Sequence, residues 1–349
     1  KVESSLQALK DLALLYRNNL DVKVVGITGS VGKTSTKETI SSVLSEKYRV
    51  LKTLGNFNNE IGLPLTVFRL TEDDEVAVLE MGISDFGEMD RLSKIAQPDI
   101  CVITNIGFCH LENLGTRDGI LKAKTEIFNH MNPDGIVIVN GDDDKLSTIS
   151  QVHGKRPLVF GISNKDGVYA DNIKSLGLDG TSFTIHGIKT SDNYSTFDLT
   201  VPVPGHHMVY NAMAAALVGS VLGLSSIEIE RGVKNLKTIA GRNNIIKENG
   251  FTIIDDCYNA NPVSMKASLD VLDTAIGRKV AILGSMFELG ENEEQMHYDV
   301  GMYLGTKDID VLITAGDLAA QIAAGTRAYI DTNYNAHGCE VHDFETRDD

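Results

Sequence analysis

The sequence predicts an α/β protein made of two consecutive sheet domains. From residue 21 to about 140, short apolar segments with strand character alternate with segments of helical periodicity, which is typical of a parallel sheet covered by helices. A glycine-rich turn follows the first apolar segment, at the edge where such sheets bind their ligands. Near residue 240 a second alternation begins. We therefore expect a central P-loop domain with a parallel sheet, followed by a Rossmann-like α/β C-terminal domain.

The elements are predicted from hydrophobic periodicity, in chain order. An amphipathic helix over residues 1–19 comes first. The strands of the first sheet are predicted at 22–27, 76–80, 100–104 and 136–140. Its helices are predicted at 33–46, 88–96, 117–131 and 206–224. Strict alternation between about 155 and 204 predicts a small antiparallel appendage, and the second domain has strands predicted at 252–254, 279–283, 311–314 and 338–342.

These elements divide the chain into three parts. Residues 1–20 are predicted to be a linker helix from a missing N-terminal domain, because the helix has no visible core of its own. Residues 21–240 form the predicted ATP-binding central domain, and residues 241–349 form a C-terminal domain that we expect to be truncated.

Composition limits the classes of partner. The chain has 349 residues, of which 42% are hydrophobic and 23% charged, and its net charge is -16. A negative average field disfavours nucleic acid as the main partner. The four cysteines have no C-x-x-C spacing and follow no secretory leader, so we expect reduced thiols in a cytoplasmic protein. The longest apolar stretch, 212–224, is too short to insert across a membrane.

The turn after the first strand has the residue types that hold a triphosphate. It reads Gly29-Ser30-Val31-Gly32-Lys33-Thr34. Glycines let backbone N–H groups approach phosphate oxygens, Lys33 supplies a positive charge, and the Thr34 hydroxyl is a ligand for Mg²⁺. The standard pattern also has a glycine where this chain has Ile27, and an ordinary strand-to-helix turn is the alternative. The amphipathic helix that follows at once favours ATP or GTP binding.

Two polar residues follow other predicted strands at the same edge of the sheet. Glu80 ends an apolar strand, where an ionised carboxylate is costly unless a cation meets it, and a Mg²⁺ held with Thr34 would be that cation. The alternative is a glutamate turned to solvent. His110 follows the strand at 100–104, and for a lone histidine a structural role is the alternative.

Lys124 lies within the apolar stripe of the predicted helix 117–131. Ile120, Ala123 and Ile127 form that stripe, whereas Lys122 points to the opposite side. An inward lysine must find anions, lose its proton or be chemically altered. The alternative is that its stem packs inside while the ammonium reaches solvent.

Several motifs together resemble those of the Mur ligases over about residues 22–342. In chain order, they are Ile27 to Thr34, Gly55-Asn56-Phe57-Asn58-Asn59-Glu60-Ile61-Gly62-Leu63-Pro64, Leu79-Glu80-Met81-Gly82, Thr104-Asn105-Ile106-Gly107, His110-Leu111-Glu112, Ala123-Lys124-Thr125-Glu126-Ile127, Gly241-Arg242 and Asp255-Asp256-Cys257-Tyr258-Asn259-Ala260-Asn261-Pro262. The Asn-rich motif and the last motif are similar to those of the family member that joins D-alanyl-D-alanine to UDP-N-acetylmuramoyl-tripeptide.

The resemblance implies a set of site residues. It places ATP phosphates on Gly29 to Thr34, one Mg²⁺ on Thr34 and Glu80, and a second Mg²⁺ near His110 and Lys124. It implies that Lys33, His110 and Lys124 are catalytic and that Lys124 is carbamylated by CO₂. The remaining implied nucleotide contacts are adenine near Asn211, a phosphate at Arg242 and ribose near Asp256.

The activity implied by the resemblance is ATP-dependent amide ligation in peptidoglycan precursor synthesis. The tripeptide carboxylate would attack the γ-phosphoryl group, and the amine of D-alanyl-D-alanine would then displace phosphate from the acyl phosphate. We expect a monomer whose partners are these substrates. We expect this chain to lack the family's uridine-nucleotide domain and therefore to bind Mg-ATP without turnover on its own. The alternatives are another Mur-type or folylpolyglutamate-type ligase, and a non-catalytic P-loop ATPase module.

Overall fold

A nine-stranded sheet organises the first two thirds of the protein. The computed structural model describes residues 1–346. The strands of this sheet are β1 (Lys23–Thr28), β2 (Val50–Lys52), β3 (Val76–Glu80), β4 (Ile100–Ile103), β5 (Ile136–Asn140), β6 (Leu158–Gly161), β7 (Val168–Ser175), β8 (Thr181–His186) and β9 (Thr196–Val201). Their spatial order is β2-β3-β1-β4-β5-β6-β7-β8-β9. Neighbours are parallel from β2 to β7, and β8 and β9 add two antiparallel pairings.

Helices cover both faces of the parallel part, as an internal parallel sheet requires. Those of the first two thirds are α1 (Ser5–Asn18), α2 (Lys33–Leu44), α3 (Gly62–Val67), α4 (Glu88–Ala96), α5 (Leu111–Leu114), α6 (Arg117–Thr125), α7 (His207–Val221) and α8 (Ser226–Lys234). Successive β1 side chains alternate between the two cores: Val25 and Ile27 pack with α2, α7 and α8, whereas Val24 packs with α4 and α6. Burial on both sides explains why β1 and β3 read as uninterrupted apolar runs.

The C-terminal part contains two smaller sheets. A hairpin pairs β10 (Asn244–Glu248) with β11 (Phe251–Asp255) in antiparallel fashion. The parallel sheet β12-β13-β14 is formed by Val280–Gly284, Val311–Ala315 and Glu340–Phe344. Its helices are α9 (Pro262–Asp273), α10 (Glu293–Leu304) and α11 (Ala319–Thr332). They pack with the parallel sheet around a separate core that includes Leu269, Val300 and Ile322.

Most predicted elements are present, with local differences that have physical causes. The predicted helix 117–131 ends at Thr125 and continues as a 3₁₀ turn, Glu126–Phe128. The alternating segment is not a detached unit, because β7 pairs in parallel with β6 and continues the main sheet. The predicted strand at 252–254 belongs to the hairpin with β10.

One helix is shorter than its hydrophobic run. The run continues to Leu224, but α7 ends at Val221 because Gly223 adopts φ +76, which closes the helix end. Within residues 1–346 no helix has both the length and the apolar character needed to cross a bilayer.

Candidate active site

The glycine-rich turn connects β1 to α2. Its backbone needs glycine twice: Gly32, at φ +80, caps α2 at its N-terminus, and a Cβ on Gly29 would lie 1.9 Å from Thr104 Oγ1. The first N–H groups of α2 have no carbonyl partner within the helix. Such a helix start binds anions through its N–H groups and its dipole.

The segment after β4 holds this turn in shape. Asn105 accepts a hydrogen bond from Val31 N at 2.9 Å through Oδ1 and donates one to Val31 O at 2.9 Å through Nδ2. Thr104 Oγ1 donates to the same carbonyl oxygen at 2.7 Å. Lys33 Nζ donates to Gly29 O at 2.8 Å, so its ammonium lies over the turn. These hydrogen bonds thus hold the turn in one conformation.

Glu80 lies directly beside the turn and is 2% exposed. Thr34 Oγ1 donates to Glu80 Oε1 at 3.2 Å, and Asn58 Nδ2 donates to the same oxygen at 2.8 Å. The other oxygen, Oε2, is buried without a hydrogen bond. A buried carboxylate oxygen without a donor has the chemistry of a cation ligand.

A second buried lysine faces this carboxylate. Lys37, one turn after Lys33 in α2, is 1% exposed. Its Nζ lies 3.0 Å from Glu38 Oε1 and 3.9 Å from Glu80 Oε2, and it donates to Thr53 O at 2.8 Å. Lys37 thus lowers the electrostatic cost of burying two carboxylates beside the glycine-rich turn.

Lys124 points into the protein, as the helix geometry predicts. It is 1% exposed, and no hydrogen bond or ion pair to its ammonium occurs within residues 1–346. Burial is the main cause that lowers the pKa of Lys124 to about 7, and the positive charge of Lys33 lowers it further. A large fraction of this amine is therefore neutral near pH 7.

His110 precedes α5 in a left-handed backbone conformation, φ 52. Its Nδ1 lies 2.9 Å from Glu288 Oε2, a residue of the C-terminal domain. Burial lowers the pKa of His110, Glu288 opposes this effect, and the charges of Lys124 and Lys33 reinforce it. His110 and Lys124 therefore share the electrostatic field of Lys33.

The predicted nucleotide contacts lie at different distances from the turn. Asn211 accepts from Thr36 Oγ1 of α2 at 2.9 Å, so its amide lies against the same helix start. Arg242 stacks over the Tyr258 ring at 4.2 Å and lines a cavity together with Ser35.

Asp256 has no direct contact with the turn. It accepts from Asn243 N at 3.0 Å and from Ser268 Oγ. Both contacts of Asp256 are with residues that follow Arg242 in the chain.

The structure brings Thr34 and Glu80 into direct contact. The charges of Lys33 and Lys124 both act on His110, so these three side chains lie near one another. Arg242 lines a cavity at the start of α2, whereas Asp256 accepts hydrogen bonds from residues of its own side of the cleft. Sequence reasoning assigned no role to four further contacts of the site, Lys37, Asn58, Asn105 and Glu288. The position of Lys37, one helical turn after Lys33, could have indicated a role for Lys37. No local pattern reveals a contact such as that of Glu288, which depends on how two domains pack.

Two family profiles match the chain. The Mur ligase middle domain matches residues 27–219, and the Mur ligase, glutamate ligase domain matches residues 241–349. The chain belongs to the Mur ligase family.

Curated relatives narrow the comparison to one kind of Mur ligase. The UDP-N-acetylmuramoyl-tripeptide--D-alanyl-D-alanine ligase of Bacillus subtilis strain 168 is 41% identical over 345 residues, which cover 98% of this chain and 73% of the relative. The enzyme of the same name from Escherichia coli K12 is 34% identical over 328 residues, covering 93% and 71%.

Solved structures agree in fold. A crystal structure of MurF from Acinetobacter baumannii superposes with a TM-score of 0.86 at 33% identity and covers 99% of this chain and 78% of its own. The MurF ligase of Thermotoga maritima in complex with ADP gives 0.82 at 30% identity, covering 99% and 82%. A folylpolyglutamate synthase of Mycobacterium tuberculosis, at 14% identity and a TM-score of 0.72, shares the fold alone.

Proposed function

We propose that this chain carries the ATP-binding and C-terminal domains of an ATP-dependent, ADP-forming ligase that adds D-alanyl-D-alanine to UDP-N-acetylmuramoyl-tripeptide in peptidoglycan precursor synthesis. Its relatives from Bacillus and Escherichia carry this activity in their names. The observation that carries the proposal is the meeting of a Gly-Lys-Thr turn, the buried Glu80 and the unpaired, buried Lys124 at one edge of the sheet. This arrangement suits the transfer of a phosphoryl group to a carboxylate.

The proposed nucleotide site uses the turn and the cleft. N–H groups from Gly29 to Thr34 and the Lys33 ammonium bind the phosphates. Asn211 lies near the adenine, Arg242 contacts a phosphate, and Asp256 contacts the ribose. The T. maritima MurF was solved with ADP, which agrees with the use of ATP by such a fold.

The residues of the candidate site suit Mg²⁺ better than a metal ion whose ligands all come from the protein. Within residues 1–346 no cluster of three His, Cys, Asp or Glu side chains could hold an ion. Mg²⁺ commonly takes one or two protein ligands and completes its shell with phosphate oxygens and water. We propose that Thr34 and Glu80 hold one ion and that His110 and Lys124 approach a second. When bound, the ions neutralise charge as one anion attacks another.

Lys124 is proposed to act as a carbamate. Its neutral amine can add to CO₂ and lose a proton, which converts an inward cation into an anion. The product is compatible with the positive charge of Lys33 and with a nearby metal ion. The lowered pKa and the absence of an anionic partner in the described chain support this step.

The chain's own groups have distinct tasks in the reaction. Lys33 offsets the repulsion between the attacking carboxylate and the γ-phosphoryl group, which at about 4 Å and an effective dielectric of 20 amounts to about 4 kcal/mol. The acyl phosphate that results is attacked by the D-alanyl-D-alanine amine. The two domains exclude water from this intermediate when they close over it.

We propose the division into a linker helix at 1–20, an ATP-binding domain at 21–240 and a C-terminal domain at 241–349. We also propose that the protein works as a monomer in the cytoplasm, where ATP is available.

The decisive experiment measures phosphate release by the complete natural chain. Release should require both UDP-N-acetylmuramoyl-tripeptide and D-alanyl-D-alanine, and glutamate with a folate should not replace them. Release that is independent of D-alanyl-D-alanine would refute the proposal.

A further inference from the structure

A loop of the C-terminal domain reaches the catalytic edge of the central sheet. The loop follows β12 and carries Glu288, whose Oε2 lies 2.9 Å from Nδ1 of His110. Gly290 of the same loop also lies close to the central domain, since a Cβ added to Gly290 would be 3.9 Å from Leu111 Cβ. Two adjacent residues of the central domain thus meet the same loop.

The base of this loop is fixed inside the C-terminal domain. Met286 is fully buried and its N–H donates to Nε2 of the buried His297 at 2.8 Å. Leu289 is 2% exposed and anchors the other side. Between these anchors, Phe287 and Glu288 project outward. The loop is therefore built to present the Glu288 carboxylate rather than to bury it.

The backbone at the contact is unusual on both sides. His110 has φ 52 and Glu288 has φ 61, and neither residue is glycine. Side chains with a Cβ rarely adopt this left-handed conformation, and such residues cluster at functional sites. Here they face each other across the boundary between the domains.

The charges around His110 favour an anion at this place. Lys33 and Lys124 both act on the imidazole, and the carboxylate of Glu288 is the acidic group that opposes them. A carboxylate at Nδ1 orients the ring and leaves Nε2 directed elsewhere, which is the usual way an imidazole is held for its task.

We propose that Glu288 is a positioning residue for ligation, which acts through His110 and completes the active site only when the C-terminal domain is closed. This inference rests on the proposed function, because it assumes that His110 faces the reacting groups. Its structural part, the contact between the domains, can be tested without turnover.

The kinetic test compares three variants of the complete chain. Glu288→Gln removes the charge, Glu288→Asp keeps the charge but withdraws it by one methylene, and Glu291→Gln is the matched control at an exposed glutamate with no ion pair in the described chain. We expect kcat to fall about 10- to 100-fold in both Glu288 variants, with KM for ATP within about twofold. Glu291→Gln should match the wild type.

Amide hydrogen exchange gives the independent readout. Deuterium uptake in the peptide containing residues 106–116 should rise in Glu288→Gln and stay unchanged in Glu291→Gln. Unchanged exchange together with unchanged kcat would overturn the proposal. An increase confined to the KM for D-alanyl-D-alanine would overturn it as well, because Glu288 would then be a substrate contact. If wild-type ligation were absent but exchange responded as expected, the proposed function would fail while the contact stood.

Discussion

At the scale of single residues, the candidate site depends on buried charges. Lys37 and Glu80 lie beside each other with 1% and 2% exposure, and Lys37 also contacts Glu38. Because the desolvation of each charge is costly, removing one partner is worse than removing both. Lys124 differs, because no anion within the described residues compensates it.

Replacing Lys37 with methionine should therefore destabilise the protein strongly. We expect the free energy of unfolding to fall by about 3–5 kcal/mol, since the buried Glu80 would lose its cation and Glu38 would keep only Lys52. Urea denaturation measures this loss. Lys94→Met, at an exposed lysine without an ion pair in the described chain, is the control and should change stability by less than about 0.5 kcal/mol. Adding Glu80→Gln should restore part of the loss; a Lys37→Met protein as stable as the control would contradict the electrostatic role.

Lys124 should take up CO₂ in a pH-dependent manner. CO₂ adds to the neutral amine, and with a pKa of about 7 the neutral fraction rises from about a tenth at pH 6 to about nine tenths at pH 8. At constant CO₂ pressure, the carbamate signal in ¹³C NMR should increase over this range. Lys124→Ala should lose the signal and regain some activity with small carboxylic acids. Lys122→Ala should keep the signal; a signal that instead follows Lys122 would rule out the assignment.

At the scale of elements, α2 is the helix on which the site is built. It begins at Lys33, contributes Thr34 and Lys37, and packs against α7 and α8 on the face away from solvent. Gly232 of α8 allows this close packing, because a Cβ there would lie 2.4 Å from Val43 Cα. Displacement of α8 would thus also displace α2, the helix proposed to bind the phosphates.

Gly232→Ala should destabilise the protein by about 1–3 kcal/mol, because the added methyl meets backbone atoms that cannot move cheaply. Thermal unfolding measures the effect, and nucleotide affinity should fall with it. Gly284→Ala is the control, since no atom lies within 4 Å of its added Cβ. Equal melting temperatures for the two variants would show that α2 and α8 can move apart without cost.

At the scale of the whole molecule, the cleft between the two domains is bordered by groups from each. Arg242 of the C-terminal part lines the same cavity as Ser35 at the start of α2. Glu288 reaches His110 from another direction. Nucleotide bound in this cleft would touch both domains and favour closure.

Arg242→Ala should weaken ADP binding about 10- to 100-fold, the effect of losing a hydrogen bond between charged groups. Calorimetry with Mg-ADP measures this change. Arg278→Ala is a suitable control, because its side chain is 71% exposed and pairs only loosely with Glu340 at 3.8 Å. An affinity loss shared by both variants would indicate a general charge effect rather than a contact.

The features that could be predicted from the sequence are those that depend on neighbouring residues. The runs that became β1, β3 and β4, the Gly-Lys-Thr turn and the inward face of Lys124 follow from periodicity and residue type, which act over a few neighbouring positions. The hairpin of β10 and β11 and the continuation of the main sheet into β9 were not predictable in this way, because strand partners depend on contacts distant in sequence.

By itself, the sequence determined the class of fold and the chemistry available at one edge of a sheet, since both are encoded in short patterns of apolar, glycine and charged residues. Which charges lie close together, in contrast, depends on how the folded elements pack. Lys37 lies against Glu80, and Glu288 reaches His110 from another domain. Such pairs form through packing over long stretches of chain, and Coulombic interactions act only on the distances that packing creates.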